Sequence, residues 1–152
     1  MKRIVSILAV LLCAAPMLLA QKPGANADDI LGEYICKIPG ESYKVRFTKN
    51  SDATYKAQIF WLEQDTDPST GKKWTDFKNP DKSLRNTPSD RIVLIDGLKY
   101  NADRKVWDST KIYDPNRGIK ANVTIKFESD RMISLKGTVL GIGETEYWEK
   151  IL

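Results

Sequence analysis

The chain has 152 residues, of which 29% are charged, carries a formal net charge of +4 and contains no histidine. Without histidine, Ser-His-Asp and Cys-His hydrolysis and the usual histidine-built zinc and copper sites are excluded. A chain of this length allows one domain around one hydrophobic core.

The N-terminus is expected to direct export. Lys2 and Arg3 form a short basic region, and Ile4 to Leu19 is apolar apart from Ser6. Small residues follow at Ala20, or at Ala25 and Ala27, where an A-x-A cleavage site fits. This is the pattern of a secretory signal peptide over residues 1–20, with cleavage as late as residue 27, and it predicts a periplasmic or secreted protein. The alternative, a membrane anchor, needs about 20 apolar residues. This run is shorter, contains Pro16 and has no basic stop-transfer cluster after it, so the chain does not read as an integral membrane protein. Cys13 lies mid-segment behind Leu11 and Leu12, the wrong place for a lipoprotein cysteine. Losing Lys2 and Arg3 lowers the net charge from +4 to +2, which removes the case for a nucleic-acid partner. One thiol, Cys36, remains, so no intrachain disulfide is possible. A lone cysteine in an oxidising compartment is either buried or a route to a dimer; its strand-like setting predicts burial and a monomer.

The remaining chain reads as one β domain over residues 29–152. Apolar and polar residues alternate in Leu31–Lys37, Ser42–Lys49, Ala53–Leu62, Arg91–Leu98, Lys105–Tyr113, Lys120–Glu128, Arg131–Val139 and Glu144–Ile151. In the third segment Tyr55, Ala57, Ile59 and Trp61 share one face. Asp114-Pro115-Asn116-Arg117-Gly118 is a hairpin turn, with Pro115 fixing φ and Gly118 free to take a positive φ. Asn122-Val123-Thr124 matches a glycosylation sequon but falls mid-strand. Eight short strands joined by tight turns predict an antiparallel up-and-down β-barrel, with a two-sheet sandwich as the alternative. A barrel of eight strands is just wide enough to be filled by side chains or to hold one small ligand. Gly32-Glu33-Tyr34 is similar to the Gly-x-Trp opening of lipocalin- and streptavidin-type barrels, with Tyr in place of Trp. Trp148-Glu149-Lys150 supplies an aromatic and a cation where those barrels pack an arginine over the first-strand ring.

One connection is long. The 28 residues Glu63–Asp90 read as neither strand nor long helix, and such connections are usually functional or disordered. They include Trp74, Phe77 and Leu84, expected to cap one end of the barrel. Asn79 as N-cap, Pro80 at the first helical position and Asp81 beside the positive end predict a helical turn over Pro80–Arg85. Arg85 is expected to pair with a nearby Asp, or with Lys72 to meet an anionic headgroup. Asp65, Asp67, Asp76 and Asp81 are the only carboxylate cluster with chemical promise. Read as a calcium loop from Asp65, however, the stretch puts Gly71 at the seventh position instead of the sixth, with a short Asp76 at the twelfth. No metal site, cofactor or enzymatic activity is therefore assigned, and no Gly-rich phosphate loop is present.

Read as a whole, the chain resembles a known set. In order it carries Trp61-Leu62, Asp67-Pro68-Ser69-Thr70-Gly71-Lys72, Asp76, Asn79-Pro80-Asp81 and Leu84-Arg85. Gly97-Leu98, Trp107, Ile112 to Pro115, Gly118, Lys136-Gly137 and Trp148 follow. This resembles the bacterial exported family known as domain of unknown function 2147, from about Asp29 to Ile151. The chain departs from that pattern at Ser109-Thr110-Lys111, where the family often has Gly-Gly, and in its C-terminal run. The resemblance implies a small envelope barrel of the calycin, lipocalin-like type. The expected role is binding of a small apolar or amphipathic, lipid-like ligand in the barrel under the 63–90 loop. The candidate residues are Trp61, Lys72, Trp74, Asp76 and Asn79, followed by Asp81, Leu84, Arg85, Trp107 and Tyr113. The alternative is a solid barrel that docks onto another envelope protein; a carboxylate-based enzyme ranks below both.

Overall fold

The computed structural model describes residues 22–151, and the expected signal segment lies outside them. The strands are β1 (Gly32–Cys36), β2 (Tyr43–Lys49), β3 (Tyr55–Leu62), β4 (Val93–Asn101), β5 (Val106–Asp114), β6 (Ile119–Phe127), β7 (Met132–Val139) and β8 (Ile142–Lys150). Each pairs antiparallel with the next, and β8 returns to β1 through Tyr34↔Lys150 and Ile35↔Glu149. The result is the expected closed, eight-stranded, up-and-down barrel, with no free edge to template aggregation. Among the described residues no helix is long and apolar enough to cross a membrane.

Alternation explains the interior. Along β6, buried Val123 and Ile125 alternate with exposed Lys120, Asn122 and Lys126. Trp107, Trp148, Tyr34 and Tyr55 are fully buried and fill much of the lumen. Their rings meet in tilted and edge-on pairs, such as Tyr34–Phe47 at 5.4 Å and Trp107–Phe127 at 5.8 Å between centroids. Cys36 is buried as expected, and burial pushes its thiol pKa up.

Bulges correct the simple face assignment. Val45 pairs with Ile59 but Lys44 pairs with Trp61, so Phe60 is an extra residue in β3. The one-residue slip turns Trp61 to the outer wall and brings Leu62 inward. Lys44 then lies 4.8 Å from the Trp61 ring centroid, and Trp61 is 39% exposed. A second irregularity lies between Trp107 and Thr110, where Ser109 adopts φ 67°. A left-handed residue here is natural for glycine and strained for serine.

One end of the barrel is stoppered by a segment that the strand pattern does not reveal. A 3-10 turn, Ala27–Ile30, tucks Ile30 into the core at 0% exposure. Four barrel side chains donate hydrogen bonds to its neighbourhood's carbonyls. Tyr34 Oη bonds Ile30 (3.0 Å), Tyr100 Oη bonds Gly24 (2.7 Å), Trp107 Nε1 bonds Ala27 (3.0 Å) and Lys150 Nζ bonds Asp29 (2.9 Å). Tyr55 Oη and Lys49 Nζ hold the Asp28 carboxylate. Lys150 also lies 5.6 Å from the Tyr34 ring centroid, the expected cation over the first-strand aromatic. Buried Gly24, at φ 80°, packs on Phe127, whose Cδ2 a Cβ would approach to 3.3 Å. Contacts with the barrel therefore reach back to Gly24.

Candidate functional site

The opposite end is the mouth, where the β1–β2, β3–β4, β5–β6 and β7–β8 connections gather. The long β3–β4 connection does not cap it with apolar side chains. Trp74 is 40%, Phe77 60% and Leu84 47% exposed, contrary to expectation. The loop is clasped by polar side chains instead. Asp76 and Asn79 are buried at 4% and 7% exposure. Asp76 Oδ1 accepts from Tyr113 Oη at 2.7 Å, and its Oδ2 accepts from Asn79 Nδ2 at 2.6 Å. Tyr113 pairs with exposed Lys120, so it faces the outer wall; the loop covers it there to 5% exposure. Next to it, Gly118 at φ 68° lies so close under the Lys78 carbonyl that a Cβ would come within 2.4 Å. The clasp thus sits beside the β5–β6 hairpin, on the outside of the barrel.

Local chemistry accounts for the loop's other polar residues. The predicted helical turn is a shorter 3-10 turn, Lys82–Leu84, whose N-cap is Asp81, not Asn79. Asp81 Oδ1 takes both Ser83 N and Ser83 Oγ, and Asp67 Oδ1 does the same with Ser69. These hydrogen bonds hold both carboxyls below their usual range. The Asp-rich composition is therefore explained by Asx turns. Asp65 accepts from Thr66 and pairs with Lys73, which also meets Asp90. Arg85 Nε donates to the Asn79 carbonyl, where an Asp partner was expected. Among the described residues no group of three or more His, Cys, Asp or Glu side chains is placed to hold a metal ion.

The ten candidate residues consequently do not meet at one site. Asp76, Asn79 and Tyr113 form the clasp, with Arg85 reaching Asn79 from behind. Asp81 caps its turn, while Lys72, Trp74 and Leu84 face solvent on the loop. Trp61 is on the outer wall, and Trp107 lies at the stoppered end.

A different group lines the inside of the mouth. Glu146 pairs with Leu135 and alternates with Trp148, both inward and buried, so its side chain faces the lumen; yet it remains exposed. Its Oε2 accepts from Tyr43 Oη at 2.8 Å and from Trp148 Nε1 at 3.1 Å. Among the described residues Oε1 accepts nothing. Burial and the neighbouring Glu146 drive the Tyr43 phenol pKa far above its ordinary value. On the adjacent strand the wall is low: Gly137 pairs with Glu144, one inward position from Glu146, and a Cβ there would lie 3.6 Å from Ala121 Cβ and 3.8 Å from Ile112 Cγ2. Half-buried Leu62 pairs with Tyr43. These inward positions at the mouth end, the acid of Glu146 beside the small residues of β7 and β6, are termed the cup. Two surface hollows, of about 380 Å³ around Asp28, Asp130 and Lys150 and about 510 Å³ around Asn50, Thr54 and Asp96, lie outside this cup. The sequence signal for Glu146 was present in Glu144-x-Glu146-x-Trp148, a strand whose inward face turns from aromatic to acidic.

Comparison with known proteins agrees with the architecture. No curated protein matches the chain. Among solved structures, protein HP1028 from Helicobacter pylori, described as belonging to the lipocalin family, superposes with a TM-score of 0.63. The two share 22% identity over 80% of this chain and 82% of that one, a likeness that establishes the fold alone. The family model of uncharacterised proteins conserved in bacteria, DUF2147, matches residues 32–150, the whole barrel from β1 to β8. The chain belongs to the DUF2147 family.

Proposed function

We propose that this is an exported binding module that takes a small amphipathic ligand shallowly in the mouth cup. The observation that carries the reading is Glu146, an inward, exposed carboxylate fixed through Oε2 by Tyr43 and Trp148, while among the described residues its Oε1 accepts no hydrogen bond. A preorganised acceptor beside apolar Leu62, Ile112 and Ala121 suits a ligand with an amine or hydroxyl donor and a short apolar body. It does not suit the anionic headgroup that Lys72 and Arg85 suggested from sequence. Because Trp107, Trp148, Tyr34 and Tyr55 fill the lumen below, the ligand does not run the length of the barrel. Native mass spectrometry of protein purified without refolding tests this: a retained small adduct is expected. A clean unliganded mass, with no thermal shift across a panel of amphiphiles, supports the solid-barrel alternative instead.

Export carries its own expectation. Gly24–Leu31 builds the stoppered end, so cleavage after Ala27 would remove two of the carbonyls that Tyr100 and Trp107 hold. Processing therefore falls after Ala20. The intact mass of the exported protein is expected to start at Gln21; a mass starting at Asp28 would contradict the structural role given to the stopper.

A further inference from the structure

Apart from Tyr147 on the outer wall, every exposed large hydrophobic side chain among the described residues belongs to the mouth end. An apolar cluster of this kind on one end of a small protein marks an interaction surface. Its densest part is the clasped loop. Trp74, Phe77 and Leu84 stand there singly, flanked by Lys72 and Arg85, with Lys78 and Lys82 between Phe77 and Leu84. None of those four cations joins a salt bridge among the described residues. The acids within the same stretch are Asp76, buried in the clasp, and Asp81, engaged by Ser83. The stretch 72–85 carries five cations against these two acids, a local charge of +3, with only Lys73 paired. The hollow at the stoppered end is lined instead by Asp28, Asp29 and Asp130 together with Lys150.

We propose that this apron seats the protein on the surface of an anionic phospholipid bilayer, with its mouth end toward the lipid. Tryptophan and phenylalanine favour the headgroup–acyl boundary, while lysine and arginine lay their stems along it and place their charges among the phosphates. Aromatic and aliphatic side chains interleaved with cations that no carboxylate neutralises match that layered chemistry, although Lys78 and Arg85 each also donate to a backbone carbonyl. A protein groove would call for a continuous apolar strip, and nucleic acid gives an exposed leucine no partner. The Asp76–Tyr113 and Asp76–Asn79 bonds present the apron preformed, so little ordering cost attaches to binding. Cup and apron share no side chain, so this surface does not rest on the ligand reading.

The test is co-sedimentation of protein with its N-terminal segment removed, confirmed by mass, with phosphatidylethanolamine–phosphatidylglycerol vesicles and with phosphatidylcholine vesicles. Binding to the anionic vesicles is expected, weakened by salt. A Trp74→Ser/Phe77→Ser double variant and a Lys72→Glu/Lys82→Glu double variant should each lose it by about tenfold or more. Circular dichroism must show both variants folded, and both should keep any ligand the cup retains. Three results overturn the proposal: no binding, equal binding to both vesicle types, or binding that the apron variants leave intact. Concentration-dependent self-association abolished by the Trp74→Ser/Phe77→Ser variant also overturns it, because a second copy then occupies the surface.

Discussion

Raising the pH from about 10 to 12 is expected to unfold the barrel in one steep step. Five phenols, Tyr34, Tyr43, Tyr55, Tyr100 and Tyr113, each donate a hydrogen bond. Two acceptors are carbonyls and three are the carboxylates of Glu146, Asp28 and Asp76. A phenolate has no proton to give, and beside a carboxylate it adds a second negative charge. Burial is the largest cause of the upward shift in all five, which sit above the ordinary value of 10.0. The sign follows from linkage. A folded-state pKa raised above the unfolded one means the folded state binds more protons above pH 10. The stability is therefore fully present below pH 10 and falls as pH rises. Each such group removes about 1.4 kcal/mol per pH unit. Tyr34, Tyr55 and Tyr113, at 0%, 1% and 5% exposure, alone remove about 4 kcal/mol per unit, enough to exhaust a typical 5–15 kcal/mol within a few units. Circular dichroism and tyrosinate absorbance should change together. Gradual tyrosine ionisation with the barrel intact at pH 12 would show that these phenols are not held as described.

The second large effect concerns the clasp. Asp76→Ala leaves the Tyr113 hydroxyl and the Asn79 amide without their acceptor in a buried setting, at a cost of about 2–4 kcal/mol. Tyr113→Phe removes the other partner and should cost about 1–2 kcal/mol, and the double variant should be markedly less than additive. Trp74→Ala, by contrast, should change stability by less than about 1 kcal/mol, because the ring is 40% exposed. Denaturant titration measures all four, and limited proteolysis of the 72–88 stretch should accelerate only when the clasp is broken. The reverse order, Trp74 costly and Asp76 neutral, would restore the apolar cap that the sequence suggests.

That reversal shows what the sequence makes legible. Strand alternation and turn chemistry depend on neighbours along the chain, so the eight strands, the hairpins and the closed barrel could be anticipated. A bulge depends on one residue failing to pair across strands. Nothing local to Phe60 announces that it slips register and turns Trp61 outward. Side-chain type equally misled in the long loop, where burial is decided by what lies across it. Asp76 and Asn79 are buried because Tyr113 and the Gly118 turn, about forty residues on, approach them. Trp74 and Phe77 have no such neighbour. The stopper was hidden for a related reason: Gly24–Ile30 has no periodicity, and its order comes from donors on β1, β4, β5 and β8. The cup is half legible. Inward acid at Glu146 follows from strand parity, whereas the low wall beside it requires the β5–β6–β7 register.

In the proposed role, Glu146 makes the mouth a site for donor-bearing amphiphiles. Isothermal titration with a medium-chain alkylamine and the fatty acid of equal chain length distinguishes this role from its alternatives. The amine should bind more tightly, and Glu146→Gln, which keeps the shape and removes the charge, should abolish that preference. Equal or tighter binding of the fatty acid to the unmodified protein, or a preference untouched by Glu146→Gln, would mean that Glu146 does not select the ligand.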